Sequence, residues 1–116
     1  MTASYRDLNV WQRAVDMSVA LYKLTESFPK TEIYGLTNQL RRAGISTASN
    51  IAEGFGRRST GEYKHFLGMA RGSNFEVQTQ LVIACRLGLG EPKRFEIAEG
   101  LSHEVGKMLV TMLNRF

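Results

Sequence analysis

Apolar residues recur at steps of three or four positions in four stretches of this sequence, the spacing of one face of an α-helix. The stretches begin near Asp7, near Thr31, at Ser59 and after Pro92. None of them shows the strict alternation that is typical of a strand. The connections between them are short, so neighbouring helices should run antiparallel. The sequence predicts an all-α, up-down-up-down four-helix bundle, with residues 1–116 forming a single domain.

Capping and breaking residues mark the ends of these predicted helices. Asn9 and Gln12 form a candidate capping box for the first helix, and Ser59 and Glu62 fit the same S-x-x-E pattern for the third. The second helix should run for roughly 25 residues and end in the glycines of residues 54–56. A glycine that caps a helix adopts a left-handed conformation, so we expect a positive φ at one of these glycines.

The net positive charge of the chain is concentrated in one segment of about a third of its length. The 116 residues carry a formal net charge of +4, and residues 30–64 hold six basic against three acidic side chains. This charge is compatible with an anionic partner. The single cysteine, Cys85, excludes an internal disulfide, and its apolar surroundings predict a buried, inert thiol. No signal peptide or membrane-length apolar run is present, so we expect a cytoplasmic protein without a membrane partner.

The stretch GFGRRSTGEY, residues 54–63, superficially resembles a phosphate-binding loop. It follows a predicted helix rather than a strand, and Glu62 stands where a P-loop requires lysine. The two histidines, His65 and His103, belong to no paired metal-ligand motif, and no serine or cysteine has a marked base. We therefore expect no catalytic residues, no metal and no cofactor, and the chain is not expected to be an enzyme.

A continuous line of polar residues lies beside the apolar face of the second helix and is matched by a shorter line on the third. We call these residues the polar stripe: Gln39, Arg42, Ser46, Asn50, Glu53 and Arg57, with Ser73, Glu76 and Gln80. Their side chains are of medium length and form directional hydrogen bonds, whereas solvated helix faces favour lysine and glutamate. The pattern favours a helix–helix or subunit interface, and a solvated face is the alternative.

Helix caps explain the glycines and hydroxyls of residues 54–63 but not the adjacent Arg57 and Arg58. We predict that these two arginines form a phosphate-contacting surface with Arg41 and Lys64, in which base stacking contributes little. The alternative for Arg57 is an ion pair with Glu53, one helical turn earlier.

Longer motifs carry a family resemblance over nearly the whole chain. DLNVWQRA, YGLTNQLRRA, SNIAEGFGR and the GS and ExxTQL of residues 72–81 resemble bacterial four-helix-bundle proteins encoded in intervening sequences of large-subunit ribosomal RNA genes. That family is similar to the accessory protein of diversity-generating retroelements, a basic homopentamer that binds nucleic acid and a reverse transcriptase. The resemblance implies a pentameric ring without enzymatic activity. It also implies structural or anion-contacting roles for the matching residues Arg41, Arg42, Asn50, Glu53, Arg57 and Arg58.

Three functions fit these observations. The first is an oligomeric bundle that binds RNA or DNA through its arginine-rich surface. The second is an oligomeric scaffold that binds another protein, such as a reverse transcriptase, without contacting nucleic acid. The third, a small-molecule-binding or catalytic bundle, is the least supported.

Overall fold

Four α-helices follow one another around a bundle in the computed structural model, which describes residues 3–116. The helices are α1 (Asn9–Thr25), α2 (Leu36–Phe55), α3 (Thr60–Arg86) and α4 (Pro92–Leu113). The described residues contain no strand. The bundle measures 43 × 23 × 21 Å.

Contacts between neighbouring helices pair residues in opposite order along the chain, as antiparallel packing requires. Arg13 pairs with Glu104, whereas Glu26, further along the chain, pairs with Arg94, which comes earlier in α4. Ser46 bonds Ser73, whereas Gly54, further along α2, lies against Phe66, which comes earlier in α3. The up-down-up-down bundle is thereby confirmed.

The capping box predicted at the start of α1 is wrong. Asn9 is the first helical residue, and the capping position is occupied by Leu8, whose side chain makes no capping hydrogen bond. A 3-10 turn at Tyr5–Asp7 precedes the helix. Gln12 donates its amide hydrogen to the carbonyl oxygen of Arg6 at 2.8 Å. Gln12 therefore stabilises the preceding turn by this hydrogen bond and does not cap the helix.

Helix α2 is shorter than predicted, at 20 residues, because it begins at Leu36. Residues Lys30–Glu32 instead form a 3-10 turn. The Glu32 carboxylate accepts a hydrogen bond from the backbone N–H of Leu36 at 3.1 Å. It thus satisfies one of the donors left free at the start of the helix.

Four residues, 56–59, join α2 to α3, as the capping signals predict. The Ser59 hydroxyl oxygen accepts a hydrogen bond from the backbone N–H of Glu62 at 3.1 Å, so the predicted cap of α3 is confirmed. The predicted positive φ is wrong, since Gly56 has a φ of −79° and Gly54 is not among the positive-φ residues. Gly54 is needed for close packing instead, because an added Cβ would lie 2.8 Å from the Cβ of Phe66.

The left-handed glycines lie at the other end of α3. Gly88 has a φ of 70° and Gly90 a φ of 88°. The N–H of Gly88 bonds the carbonyl of Cys85, and the N–H of Leu89 bonds the carbonyl of Ala84. This pair of bonds is a Schellman motif, and it ends the helix with glycine at the left-handed position.

The thiol of Cys85 is exposed, which corrects the prediction of a buried cysteine. Leu81 and Ala84 supply the buried face of this part of α3. Cys85 follows Ala84 by one position, about 100° further round the helix, and so leaves that face.

The apolar core consists of two clusters, one in each half of the bundle. One half is built around Met17, Leu21 and Leu40. The other is built around Ile51, Leu67 and Leu109. Each cluster takes side chains from all four helices, so both halves bury apolar surface between every pair of neighbours.

Buried polar side chains lie between these two clusters along the helices. The Asn74 amide donates to the carbonyl of Ser102 at 2.9 Å, and the Ser102 hydroxyl donates to the Asn74 amide oxygen at 2.8 Å. On α2 the buried hydroxyl of Thr47 donates to the carbonyl of Ala43. These groups are hydrogen-bonded, as buried polar groups must be to avoid a desolvation cost.

Candidate nucleic-acid interface

The joint between α2 and α3 brings together three of the four residues predicted to contact phosphate. Arg57 and Arg58 lie in the joint itself, and Lys64 lies on the first turns of α3. All three side chains are exposed. The cap by Ser59 fixes where α3 begins and therefore which way Lys64 projects.

Arg57 is held by two contacts within the chain. Its guanidinium lies 3.0 Å from the carboxylate of Glu53, the ion pair that was the alternative prediction for this residue. It also lies 4.5 Å from the ring centroid of Phe66. Cation–π contact and the ion pair together orient the guanidinium at the end of α2. Sequence reasoning missed Phe66, because no spacing rule links residues on either side of a joint.

Arg58 and Lys64 make no ion pair with any residue in the described part of the chain. Glu62 is the nearest carboxylate in sequence, and its carboxylate lies by the Ser59 hydroxyl, at 3.4 Å. The two cationic side chains therefore remain available to an anion in solution.

Arg41 is not part of this group. It lies 16 residues before Arg57, about 24 Å along the helix axis. Its Nε donates to the hydroxyl of Thr25 at 2.9 Å, and its guanidinium stacks 4.4 Å from the ring centroid of Tyr22. Arg41 thus links α2 to the end of α1.

The middle of the polar stripe joins α2 to α3 within one chain. The hydroxyls of Ser46 and Ser73 share a hydrogen bond of 2.9 Å. The Asn50 amide donates to the carbonyl and to the hydroxyl of Ser46. Asn50 and Ser73 are each only 9% exposed, so the helices cover the centre of the stripe.

The outer part of the stripe remains open to solvent in the single chain. Gln39, Arg42 and Glu76 line a polar cleft of about 300 Å³ beside the serine pair. The amide oxygen of Gln80 is buried without a hydrogen-bond partner among the described residues. The subunit-interface interpretation of this part of the stripe stays a prediction.

Tyr63 packs into an aromatic cluster at the same end of the bundle. Its ring lies 6.2 Å from that of Phe55 and 5.6 Å from that of Phe116, both edge to face. Burial in this cluster raises the pKa of the Tyr63 phenol above its ordinary value.

The described residues hold no cluster of three or more histidine, cysteine, aspartate or glutamate side chains that could bind a metal ion. Among the same residues, no helix is long and apolar enough to cross a membrane.

A family model for the 23S rRNA-intervening sequence protein matches residues 6–111. The chain belongs to the 23S rRNA-intervening sequence protein family. The match includes all four helices except the last residues of α4. It confirms the family resemblance carried by the sequence motifs.

A solved structure shares the four-helix fold of this chain. A protein of unknown function from the S23 ribosomal protein family of Bacteroides thetaiotaomicron superposes with a TM-score of 0.79. The two chains are 20% identical, and the match covers 90% of this chain and 97% of that chain. The likeness shows a shared fold. A comparison with curated proteins found no match.

Proposed function

We propose that this member of the intervening sequence protein family is a non-enzymatic homo-oligomer that binds RNA or DNA. The observation that carries the proposal is the basic group at the α2–α3 joint. Arg58 and Lys64 are exposed without ion pairs among the described residues, and Arg57 is fixed beside them. Phosphate contacts of this kind give affinity without reading sequence.

Self-association is supported by an apolar groove between α1 and α2. The groove has a volume of about 360 Å³ and includes Trp11, Val15, Val19 and Ile45. None of the described residues that line it is charged. Depletion of charge around exposed aromatic and aliphatic side chains is typical of the core of a protein interface.

A ring requires two different patches on each subunit, since each copy contacts two neighbours. The second patch in this proposal is the outer edge of α3 beside the polar stripe. Met69, Glu76 and Ile83 recur every seven residues and so share one face of that helix. Met69 and Ile83 are each 45% exposed, and Glu76 lines the polar cleft.

The assembly is tested by measuring mass in solution with light scattering coupled to size exclusion. We expect a multiple of the 13.0 kDa chain, with five copies favoured by the family resemblance. Ile45→Glu should lower the mass, whereas Lys93→Glu, at the start of α4, should leave it unchanged. A wild-type monomer at micromolar concentration would refute the oligomer.

Nucleic-acid binding is tested by titrating protein into labelled RNA and DNA at several salt concentrations. Log K should fall against log salt with a slope of about −0.9 per phosphate neutralised on duplex, or about −0.7 on single strands. Arg58→Glu should flatten that slope and weaken binding to all sequences alike, at constant oligomer mass. Arg57→Glu should also lower stability, because it places a second carboxylate beside Glu53.

Failure of the wild-type protein to bind any nucleic acid at about 50 mM salt, where electrostatic attraction is strong, would remove the phosphate surface. The apolar α1–α2 groove would then favour the second function, an oligomeric scaffold for another protein.

A further inference from the structure

A second basic surface lies between α3 and α4. None of the residues that line it is among the site residues predicted from the sequence. It is a groove of about 600 Å³. Arg71, Phe75 and Gln78 line it from α3, and His103 and Lys107 line it from α4. None of the described residues that line the groove is acidic. A concave surface lined by one sign of charge concentrates counter-ions, and here the counter-ion is an anion.

An arginine–aromatic pair forms one wall of this groove. The Arg71 guanidinium lies 5.0 Å from the ring centroid of Phe75. The Phe75 side chain is nevertheless 49% exposed. The guanidinium occupies one face of the ring. The flat apolar surface left to a ligand is therefore the opposite face, next to a fixed positive charge. That combination suits a nucleotide, whose base stacks on a ring while its phosphate pairs with a cation.

Backbone forms part of the opposite wall, because position 106 carries no side chain. A Cβ on Gly106 would lie 3.3 Å from the amide nitrogen of Asn74 and 3.7 Å from that of Gln78. The glycine therefore keeps α3 and α4 close and leaves the groove unobstructed. The Gln78 amide beside it offers both a donor and an acceptor to a base edge.

The groove continues the basic surface of the α2–α3 joint. Lys64 precedes Arg71 by seven residues, which places both on one face of α3 about 10 Å apart.

We propose that the α3–α4 groove binds single-stranded nucleic acid, with a base stacked on Phe75 and the backbone phosphates at Arg71 and Lys107. This inference rests on the proposed function and names the substrate class for it. A single strand is favoured over a duplex, because bases inside a duplex are already stacked on their neighbours and are not free to stack on the Phe75 ring in the wall of the groove. At the joint the Tyr63 ring packs against those of Phe55 and Phe116. The exposed ring of Phe75 therefore adds a stacking contact to the charge at the joint.

The test compares two labelled probes of about 16 nucleotides, the upper end of the usual site size. One is a single-stranded oligonucleotide, and the other is an abasic strand of equal length and charge. Phe75→Leu keeps an apolar side chain but removes the ring, and Tyr34→Leu is the matched control because Tyr34 is 91% exposed elsewhere. Lys107→Gln is paired with the control Lys93→Gln.

We expect Phe75→Leu to weaken binding of the base-bearing strand about five-fold or more while leaving the abasic strand unaffected. Lys107→Gln should weaken both strands and reduce the salt slope by about 0.7. Neither control should change either quantity, and all four variants should keep the wild-type oligomer mass.

A footprint on the wild-type protein gives a second measurement that does not depend on variant folding. Lysines are acylated with and without the oligonucleotide, and the modified positions are read by mass spectrometry. Lys107 and Lys64 should be protected by the oligonucleotide, and Lys93 should not.

Several results would overturn the groove assignment. Binding that is weakened by Arg58→Glu but untouched by Phe75→Leu and Lys107→Gln would leave the proposed function intact and place nucleic acid elsewhere. A lower oligomer mass for Phe75→Leu would show that another copy of the chain covers the groove. Equal competition by polyglutamate and by the base-bearing strand would indicate an acidic peptide site. Absence of wild-type binding to any nucleic acid would remove the proposed function as well.

Discussion

Two glycines on facing helices should respond oppositely to the same substitution. Gly54→Ala and Gly72→Ala each add one methyl group to a helix and gain at most about 1 kcal/mol of helix propensity. At Gly54 the new Cβ would lie 2.8 Å from the Cβ of Phe66 and 3.3 Å from the carbonyl oxygen of Tyr63. At Gly72 no heavy atom outside the helix's own backbone lies within 4 Å of it.

At Gly54 the cost of overpacking decides whether the substitution raises or lowers stability. Carbon atoms in contact normally lie about 3.5 to 4.0 Å apart. The start of α3 must therefore move by several tenths of an ångström or more, since a Cβ cannot rotate away as a side-chain tip can. Overpacking of this kind costs about 1–3 kcal/mol. Gly54 is next to the last residue of α2, whereas Gly72 lies in the middle of α3, so the propensity gain at Gly54 is no larger than that at Gly72. The two variants should therefore differ in stability by at least about 1–3 kcal/mol, with Gly72→Ala the more stable.

Guanidinium unfolding followed by far-ultraviolet circular dichroism measures this difference as a shift in the denaturation midpoint. The comparison requires that the unfolding free energy depend equally on denaturant concentration in both variants. A matching difference in melting temperature of roughly 4 °C per kcal/mol is expected for a chain of this size. Each variant is measured at two protein concentrations to separate folding from assembly. A Gly54→Ala midpoint equal to or above that of Gly72→Ala would refute the close approach of α2 and α3.

Three further predictions follow from single side chains. Ser59→Ala should lower stability by about 1 kcal/mol, because the first turn of α3 loses its cap; an unchanged unfolding midpoint would contradict the assignment. Ser102→Ala should cost about 1–3 kcal/mol, because it strands the buried amide oxygen of Asn74 without a donor, and chemical denaturation at neutral pH measures the loss. Stability should fall as pH rises above 10.0, where the unfolded tyrosine ionises while the raised pKa of Tyr63 keeps it neutral in the folded state. Tyr63→Phe should remove that part of the alkaline loss in unfolding experiments between neutral and alkaline pH, and identical profiles for both proteins would contradict it.

The helices were predictable because their apolar spacing is a local property that the packed bundle reinforces. The Ser59 cap was predictable for the same reason, since its hydrogen bond spans three residues. The start of α1 was not, because Asn9 has the right chemistry for a cap but Gln12 bonds the turn before it. Gly54 was assigned to the right place for the wrong reason: it accommodates Phe66 from α3 rather than a left-handed turn.

The candidate site was predictable only where it depends on neighbours in sequence. The pairing of Arg57 with Glu53 follows from helical spacing, and the structure confirms the contact. The separation of Arg41 from the joint follows from its contacts with Thr25 and Tyr22 on α1, which no pattern in α2 reveals. The α3–α4 groove depends on two helices whose facing residues, such as Phe75 and Lys107, are far apart in the chain.

The hydrogen-bonded pair of Asn74 and Ser102 has a consequence for how the helices are aligned. Apolar stripes repeat every three or four residues, so sliding α4 along α3 by one turn, about 5.4 Å, would still place apolar residues against apolar residues. The same slide would separate the amide from the hydroxyl and leave both without partners in an apolar neighbourhood, at about 1–3 kcal/mol for each. The hydrogen-bonded pair thus stabilises one alignment of α4 along α3 over the others. Replacing both residues with leucine would leave α4 free to settle in more than one position, and every position other than the present one would displace the walls of the α3–α4 groove.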